Sequence, residues 1–406
     1  MNRGMLSVDE ALAFLLAGAR PVADTEQVAT LAAAGRVLAQ AQRSTFNVPS
    51  LDNTSMDGYA VYCADCASGE ARLPVSQRIA AGSMPQPLAR GTAARIFTGA
   101  PIPPGADAVV MQENCAQDGE AVIVKHRPQA GEWVRRVGED IHAGSEILGA
   151  GTKLRPQDTG LAASVGIAAL PLYRRLKVAV FFTGDELVMP GAPLPPGRIY
   201  NSNRFTLNGL LQLFGCEVSD YGIVPDRLDA TRKVLREAAV GNDLIVTSGG
   251  VSVGEEDHIK PAVEAEGKLS MWKIAVKPGK PLAFGEVSAG AGHKAHFIGL
   301  PGNPVSSFVT FLVFVRPFIL RCQGVARVEP LSYLLRADFD WAKPDTRREF
   351  LRVKLNPAGG LDLFANQSSA VLTSAVWADG LIDNPARQAI GRGDMVKFIP
   401  FAELFQ

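Results

Sequence analysis

The sequence predicts a protein of several domains, in which a central α/β domain lies between regions of short β-strands. From Lys177 to about Arg321, apolar strands alternate with helical segments, as in a doubly wound parallel sheet that helices cover on both faces. From about Tyr59 to Ile147, and again from about Pro330 to Gln406, short β-type runs alternate with Gly and Pro turns. At 406 residues the chain is long enough for each region to have its own core.

The amino-terminal region is predicted to be helical. Ser7 and Glu10 fit a capping box ahead of a helix from about Val8 to Ala17. Asp24 is placed to cap a second helix that ends near Gly35, and residues 154–166 have helical character again.

The central region gives a regular series of elements. Apolar strands are expected in VAVFF, at 217–224, in LIVTS and in HFIGL, with helices at 203–214 and 229–239 between them. The apolar run 305–320 is shorter than the roughly 20 residues that a membrane span needs, and it contains Arg316 and Pro317. We therefore expect a buried helix there.

Composition narrows the class of partner. The chain has 41 basic and 41 acidic residues, so its net charge provides no general attraction to nucleic acid or to an anionic membrane. We expect neither as a partner, and any anionic ligand must be held by a local site. Five cysteines without framework spacing favour a reducing compartment, which predicts a cytoplasmic protein.

Three strand-to-turn junctions in the α/β region are rich in Gly and small polar residues. In a doubly wound sheet such junctions lie together at the carboxyl ends of the strands, where ligands bind. Gly lets backbone N–H groups approach an anion closely. One such turn alone is better explained as a tight turn, but three in one sheet favour an anion-binding crevice. The junctions are 183–186, 247–250 and 301–304.

Lysines and carboxylates supply the charges for such a site. Lys273, Lys277 and Lys280 lie in MWKIAVKPGKP, and if residues 271–277 form one strand, Lys273 and Lys277 share a face. The alternative is that they are solvated surface lysines. Carboxylates in turn-like settings could be Mg²⁺ ligands or ordinary turn residues. They are Asp57, Asp140, Glu186, Asp226 and Asp257.

The sequence lacks the motifs that are typical of several other classes of enzyme. The sequence contains no G-x-S-x-G for a hydrolase nucleophile and no G-x-x-x-x-G-K-[ST] for a P-loop. The dinucleotide motif G-x-G-x-x-G is also absent, and the five histidines show no metal-binding spacing on a helix.

Eight motifs, in order along the chain, resemble the molybdopterin molybdenumtransferase family of the bacterial MoeA type, to which the E domains of gephyrin and of plant Cnx1 are similar. The resemblance runs nearly end to end. The motifs are TSMDGYA (54–60), FTGAP (97–101), VGED (137–140), TGDEL (183–187), NSN (201–203), TSGGVSVG (247–254), KPGKP (277–281) and LPGNP (300–304).

The resemblance implies a domain plan and an activity. It implies a discontinuous helical domain (1–44 and 141–174), a β domain (45–140), an α/β molybdopterin-binding domain (175–326) and a carboxyl-terminal β domain (327–406). It implies a Mg²⁺-dependent homodimer that inserts molybdate into adenylylated molybdopterin and releases AMP. The adenylyltransferase upstream and the molybdoenzymes downstream are its expected further partners.

Site residues carry over from the matching motif positions. The catalytic set is Asp57, Thr98, Asp140, Glu186, Asp226 and Asp257, of which Glu186, Asp226 and Asp257 are the expected metal ligands. The substrate-binding set is Ser248, Gly249, Gly250, Lys273, Lys277, Lys280, Gly302, Asn303, Pro304 and Ser369. Ser368 stands where the family often has Gly, so Ser369 is the expected functional hydroxyl.

Two alternatives remain at this point. A molybdopterin adenylyltransferase shares the α/β domain but is normally a lone small domain, which residues 45–140 and 330–406 disfavour. A non-enzymatic dimeric scaffold, as in gephyrin, is disfavoured because no added linker or partner domain is evident.

Overall fold

The computed structural model describes residues 5–251, 258–289 and 294–406 of the chain. Its helices are α1 (Val8–Gly18), α2 (Pro156–Ser164), α3 (Ser202–Leu213), α4 (Leu228–Ala239), α5 (Ile259–Glu266), α6 (Pro304–Thr310), α7 (Arg316–Cys322), α8 (Thr373–Trp377) and α9 (Phe401–Leu404). A π-helical segment, Phe311–Val315, joins α6 to α7.

The strands before the central sheet are β1 (Thr25–Ala29), β2 (Gln42–Arg43), β3 (Asn53–Thr54), β4 (Gly58–Val61), β5 (Ala71–Ile79), β6 (Ala93–Ile96), β7 (Ala108–Met111), β8 (Cys115–Asp118), β9 (Ala121–Val124), β10 (Val134–Arg135), β11 (Glu146–Leu148) and β12 (Ala169–Tyr173). Those that follow are β13 (Lys177–Thr183), β14 (Leu187–Val188), β15 (Ile199–Tyr200), β16 (Glu217–Val224), β17 (Leu244–Ser248), β18 (Gly267–Lys273), β19 (Val276–Lys277), β20 (Pro281–Ser288), β21 (Lys294–Leu300), β22 (Tyr333–Arg336), β23 (Arg348–Leu355), β24 (Leu361–Leu363), β25 (Gly380–Asn384) and β26 (Met395–Pro400).

The predicted capping box is confirmed at the start of α1. The Ser7 hydroxyl accepts from the Glu10 backbone N–H at 3.2 Å, and the Glu10 carboxylate accepts from the Ser7 N–H at 2.8 Å. Two of the helix's free N–H groups are satisfied in this way. Val8, Ala11 and Leu15 form the buried face of α1.

The predicted second helix, from Asp24 to Gly35, is wrong. Residues Thr25–Ala29 form β1, which pairs antiparallel with β12, and only a single 3₁₀ turn follows at Thr30–Ala32. The pairing brings together segments about 140 residues apart in sequence, and its backbone hydrogen bonds outweigh local helix propensity. The helix predicted at 154–166 is present as α2.

The region after β3 forms a six-stranded sheet in the order β7-β4-β6-β5-β9-β8. Its two apolar clusters contain only residues from 59 to 134. This sheet therefore has a core that is separate from the core of the central sheet.

The central sheet has the order β16-β13-β17-β21-β20-β18. Strands β16, β13, β17 and β21 are parallel, and β20 and β18 extend the sheet as an antiparallel edge. Side chains of β13 alternate between the two faces. Val180 and Phe182 pack in a core with α1, α3 and the helix from α6 to α7, and Phe181 packs in a core with α4 and α5.

This arrangement confirms the doubly wound α/β fold. Full burial of one side chain such as Phe181 stabilises the fold by about 1.5–3 kcal/mol.

The helical stretch Pro304–Cys322 is a core helix. In the described chain it is the one helix long and apolar enough to span a membrane, but 89% of its 18-residue window is buried inside the protein. The burial agrees with the prediction made from Arg316 and Pro317.

The carboxyl-terminal region forms a second β module, as the sequence predicts, with the order β19-β23-β25-β26-β22. Strand β19, which comes from the α/β region of the sequence, pairs parallel with β23 through Val276↔Arg348 and Lys277↔Glu349. The carboxyl-terminal sheet is thereby joined directly to the segment that carries Lys277.

Candidate active site at the carboxyl edge of the central sheet

The three predicted turns meet at one edge of the sheet. They follow β13, β17 and β21, which are parallel neighbours, so their carboxyl ends are adjacent. The Gly249 N–H donates to the Leu300 carbonyl at 3.1 Å. A Cβ on Gly249 would lie 2.3 Å from the Thr183 carbonyl oxygen, and one on Gly302 would lie 3.8 Å from the Gly249 Cα.

Gly249 and Gly250 have the positive φ values that favour glycine, +99° and +64°. The backbone of this turn is packed too closely against β13 for any side chain at position 249.

A buried amide fastens two of these turns together. The Asn203 Nδ2 group donates to the Ser248 hydroxyl at 2.8 Å and to the Gly302 carbonyl at 2.7 Å. The Ser248 hydroxyl donates in turn to the Pro301 carbonyl at 3.0 Å. Ser248 is thus an internal support of the site. Asn203 is absent from the predicted site residues, although the NSN motif that opens α3 contains it.

Four buried polar atoms surround this edge without a hydrogen-bond partner among the described residues. They are Thr183 Oγ1, Thr247 Oγ1, Asn201 Nδ2 and Asp226 Oδ1. A buried unsatisfied polar group costs about 1–3 kcal/mol, so a cluster of them calls for an explanation. Their position beside the glycine turns makes this edge a candidate site for a polar ligand. Sequence reasoning did not single out Thr183, Thr247 or Asn201, although each lies in a predicted strand end or motif.

Two of the predicted metal ligands lie at adjacent strand ends. Glu186 follows β13 and Asp226 follows β16, and these strands pair in register at Thr183↔Val224. The Glu186 carboxylate is exposed and lies against Gly184, where an added Cβ would be 2.6 Å from Oε2. Asp257, the third predicted ligand, lies outside the described residues.

The few carboxylates at this edge suit a hard cation that takes most of its ligands from water and from the substrate. In the described part of the chain, no group of three or more His, Cys, Asp or Glu side chains could hold a metal ion. Mg²⁺ usually takes only one or two carboxylates and completes its shell with water and substrate phosphates. The unpartnered Asp226 Oδ1 is a carboxylate oxygen of the required kind.

The expectation that Lys273 and Lys277 share one strand face is wrong. Strand β18 ends at Lys273, and Lys277 belongs to β19 in the other sheet. The break has a physical cause: the extended segment at Leu6 pairs with Ile274, donating to the Lys273 carbonyl and accepting from the Ala275 N–H. The chain therefore crosses from one sheet to the other between these two lysines.

Lys277 is ion-paired. Its Nζ atom lies 3.2 Å from Glu349 Oε1, at an angle that makes no hydrogen bond, and 3.4 Å from Asp345 Oδ2. Glu349 is fully buried. The pKa of Asp345 is held well below its usual range, first by hydrogen bonds from Arg347 and further by the charge of Lys277. Lys273 and Lys280 are exposed.

The turn that carries Lys280 lies against α6. A Cβ on Gly279 would be 2.7 Å from Thr310 Cγ2. At the first turn of α6, the Val305 N–H donates to the Ser369 carbonyl at 3.0 Å. The predicted substrate residues Asn303, Pro304 and Ser369 are consequently gathered around the start of α6, and the turn that carries Lys280 packs along the side of this helix. Ser368 is engaged within its own loop, where its N–H donates to Asn366 Oδ1 at 3.0 Å.

The remaining predicted catalytic residues lie in the amino-terminal half of the chain. Asp57 Oδ1 accepts from both the backbone N–H and the hydroxyl of Thr98, each at 2.7 Å. These two hydrogen bonds lower the pKa of Asp57 and keep it ionised. Asp140 has an exposed side chain and is held through its backbone N–H, which donates to the Val48 carbonyl at 3.0 Å.

Family models match nearly the whole chain. They are described as "MoeA N-terminal region (domain I and II)" over residues 6–166, "Probable molybdopterin binding domain" over 179–321, and "MoeA C-terminal region (domain IV)" over 335–401.

Similar proteins carry a consistent name. A molybdopterin molybdenumtransferase from Haemophilus influenzae is 38% identical over 98% of this chain and 100% of its own length. Another, from a Nostoc species, is 37% identical over 83% of this chain and 79% of its own length. The crystal structure of a molybdopterin biosynthesis moeA protein from Pyrococcus horikoshii matches with a TM-score of 0.84 at 28% identity, covering 98% of this chain and 100% of that one.

Proposed function

The chain belongs to the molybdopterin molybdenumtransferase family, the transferases that insert molybdenum during molybdenum cofactor biosynthesis, and we propose that adenylylated molybdopterin is bound at the carboxyl edge of its central sheet. The observation that carries this placement is the cluster of unpartnered buried atoms there, Thr183 Oγ1, Thr247 Oγ1, Asn201 Nδ2 and Asp226 Oδ1. A ligand rich in hydrogen-bonding groups satisfies such atoms, which apolar packing cannot do.

Backbone amides and lysines bind the anionic parts of the substrate in this proposal. The turns at 248–250 and 302–304 present backbone groups to pterin and phosphate, and Lys273, Lys277 and Lys280 neutralise phosphate or molybdate. Lys277 is held ready by Asp345 and Glu349, which fix its position beside β23. Ser369 adds a hydroxyl beside the start of α6.

Glu186 and Asp226, together with Asp257, would hold Mg²⁺ in this proposal. The ion supplies charge neutralisation at the pyrophosphate that links molybdopterin to AMP. Asp226 contributes the buried unpartnered oxygen, and Glu186 the exposed carboxylate at the neighbouring strand end. The two thiols of the dithiolene bind molybdenum and displace one molybdate oxygen, which leaves as water with the two thiol protons. A second water molecule cleaves the phosphoanhydride, which releases AMP and leaves the other phosphate on molybdopterin. The chain's own contribution is positioning and charge stabilisation.

A homodimer completes the site in this proposal. Asp57, Thr98 and Asp140 belong to a part of the chain whose core is separate from that of the central sheet. They would face Glu186 and Asp226 from a second copy. A cytoplasmic location is supported by the five cysteines, all free thiols. The upstream adenylyltransferase and downstream molybdoenzymes remain its proposed partners.

The alternatives receive no support from the comparisons. The Haemophilus influenzae relative that carries the transferase name aligns over 98% of the chain, and family models also match the regions that a lone adenylyltransferase lacks.

Removal of single carboxylates tests the proposal. We expect Glu186→Ala and Asp57→Ala each to reduce AMP release and cofactor formation by about 10²-fold or more. Glu186→Ala removes a proposed Mg²⁺ ligand, and Asp57→Ala removes a proposed positioning group, so in each variant the reacting phosphate is held less well. Activity is measured with molybdate and adenylylated molybdopterin, and circular dichroism checks that each variant is folded.

Glu264→Ala is the matched control, since Glu264 is an exposed carboxylate on α5. We expect it to keep full activity. Wild-type rates in both Glu186→Ala and Asp57→Ala would remove these residues from the mechanism.

A further inference from the structure

A second cleft, with a volume of about 660 Å³, lies at the opposite end of the central sheet. Its lining includes Arg175, which precedes β13, and Gly215, which precedes β16, so it adjoins the amino ends of these strands. Six cationic side chains line what we call the basic cleft: Arg36, Lys153, Arg155, Arg175, Arg316 and Arg327. Only two acidic side chains, Glu329 and Glu403, line it with them.

Cations outnumber the acidic groups around this cleft. Arg36 pairs with Glu26, and Arg155 pairs with Asp158 through two hydrogen bonds of 3.0 Å. In the part of the chain that the structure describes, the other four cations form no ion pair. An excess of cations in a concave surface raises the local concentration of anions.

Arg316 provides a fixed buried charge in the wall of the cleft. It is only 4% exposed, and its guanidinium donates to three backbone carbonyls, those of Val328 at 2.8 Å, Glu403 at 3.0 Å and Gln406 at 3.0 Å. Its Nε atom has no partner among the described residues. Burial lowers the pKa of Arg316 to about 10, which leaves it charged at neutral pH.

Lys153 places a second cation beside it. The described residues offer its ammonium group no hydrogen bond and no carboxylate, and Nζ lies 5.6 Å from the centroid of the Phe214 ring. Burial, and then the charge of Arg316, lower the pKa of Lys153. Two cations that are partly removed from water and repel each other destabilise the local structure. An anion bound beside Lys153 would offset this repulsion.

Most of the rest of the lining is apolar. Leu213 and Leu331 are 51% and 47% exposed, and Leu320, Val325 and Phe405 complete this surface. A cleft lined by both cations and apolar side chains matches a ligand with an anionic head and an apolar body, and its volume is in the range of small-molecule sites.

We propose that the basic cleft binds a small phosphomonoester that carries an apolar or aromatic group. The phosphate lies beside Lys153, Arg175 and Arg327, because arginine and lysine together provide charge and paired donors for phosphate oxygens. The apolar group lies against Leu213 and Leu331. This site is independent of the proposed transferase site, since it lies at the opposite end of the strands.

Protection of Lys153 from chemical labelling tests the proposal. The full-length protein is treated with an amine-acylating reagent, and labelling of each lysine is followed by mass spectrometry with phenyl phosphate, inorganic phosphate or sodium chloride at equal ionic strength. We expect saturating phenyl phosphate to slow labelling of Lys153 about tenfold and inorganic phosphate to need a higher concentration, because it gains no apolar contact. Labelling of the exposed Lys233 on α4 should not change.

Substitution at the rim of the cleft locates the bound ligand. Arg327 is exposed and has no ion pair among the described residues, so Arg327→Gln should fold normally and should weaken the protection of Lys153. Arg127→Gln, at an exposed arginine of the amino-terminal half, should leave the protection unchanged. Equal labelling of Lys153 with and without phenyl phosphate would overturn the proposal. Undiminished protection in Arg327→Gln would also overturn it, since the ligand would then lie elsewhere.

Discussion

The pair formed by Asp57 and Thr98 shows how one residue can set the charge of another. Both hydrogen bonds to Asp57 Oδ1 come from Thr98, and each favours the ionised carboxylate. The geometry depends on Gly58, because a Cβ at that position would lie 1.9 Å from the Val110 carbonyl oxygen. The glycine of the TSMDGYA motif thus allows β4 to pack closely enough for its neighbour Asp57 to reach Thr98.

Thr98→Val should raise the pKa of Asp57 toward its ordinary value. Valine removes the hydroxyl donor but leaves the backbone N–H, so part of the lowering should remain. A lowered pKa stabilises the folded state above the pKa of the unfolded chain, and this stabilisation is lost as the pH falls through the folded-state value. Because Asp57 is protonated at a higher pH in the variant, the variant should lose activity at a higher pH than the wild type as the solution is acidified. Carboxyl-carbon NMR titration measures the pKa of Asp57.

Thr98→Ser keeps the hydroxyl and is the control for that titration. It should reproduce the wild-type pKa of Asp57. Identical titration curves for the valine and serine variants would show that the hydroxyl bond does not set this charge.

The turn after β17 shows how an element depends on one glycine. Gly249 and Gly241 both have positive φ, +99° and +78°, but only Gly249 is in close contact with another strand. Gly241→Ala should lower the free energy of unfolding by about 1–2 kcal/mol, the usual cost of left-handed backbone for an L-residue.

Gly249→Ala should cost that amount and more, because its Cβ would lie 2.3 Å from the Thr183 carbonyl. It should also abolish molybdopterin binding by displacing the turn. Urea unfolding and a binding assay on both variants compare the effects. Equal stability and intact binding in the two would contradict the packing argument.

Elements with strong local periodicity could be predicted closely from the sequence. Strand β16 has the predicted bounds, and α3 and α4 differ from prediction by one residue at each end or less. The errors fall where distant segments decide the outcome. Strand β1 forms because β12 pairs with it, and the strand expected at 271–277 is broken because the chain at Leu6 inserts beside Ile274. No local pattern contains that information.

The candidate site also contains some features that the sequence predicts and others that depend on distant segments. The glycine turns could be predicted because parallel strands bring their carboxyl ends together. The ion pairs of Lys277 could not, since Asp345 and Glu349 are about 70 residues away and belong to another sheet. Nor could the role of Asn203, because its partner Ser248 ends β17 and its partner Gly302 follows β21. Residues that support a site through distant partners are therefore harder to predict from the sequence than the turns that form the site.

At the scale of the whole molecule, the two sets of predicted catalytic residues lie in regions with separate cores. The loop that carries Asp57 is held by bonds within its own region, such as that from the Gln112 N–H to the Asp57 carbonyl at 3.1 Å. Glu186 and Asp226 instead follow strands of the central sheet. If the sets act together across two subunits, a symmetric dimer contains two sites, each built from both chains.

Complementation between inactive variants tests this arrangement. In a dimer of one Asp57→Ala chain and one Glu186→Ala chain, one site carries both substitutions and the other carries neither. Random exchange makes half of the dimers mixed, so the mixture should recover about a quarter of wild-type activity. AMP release after subunit exchange measures the recovery.

Asp57→Ala mixed with Asp140→Ala is the control. These residues come from the same side of each site, so every site in the mixed dimer would carry one substitution and no activity should return. No recovery in the test mixture of two folded variants would mean that each site is built within one chain. Recovery in the control would instead mean that Asp57 and Asp140 reach each site from different chains. The transferase assignment would stand in either case, because it depends on the family match and on the carboxyl edge of the sheet, whereas the shared site depends on the second subunit.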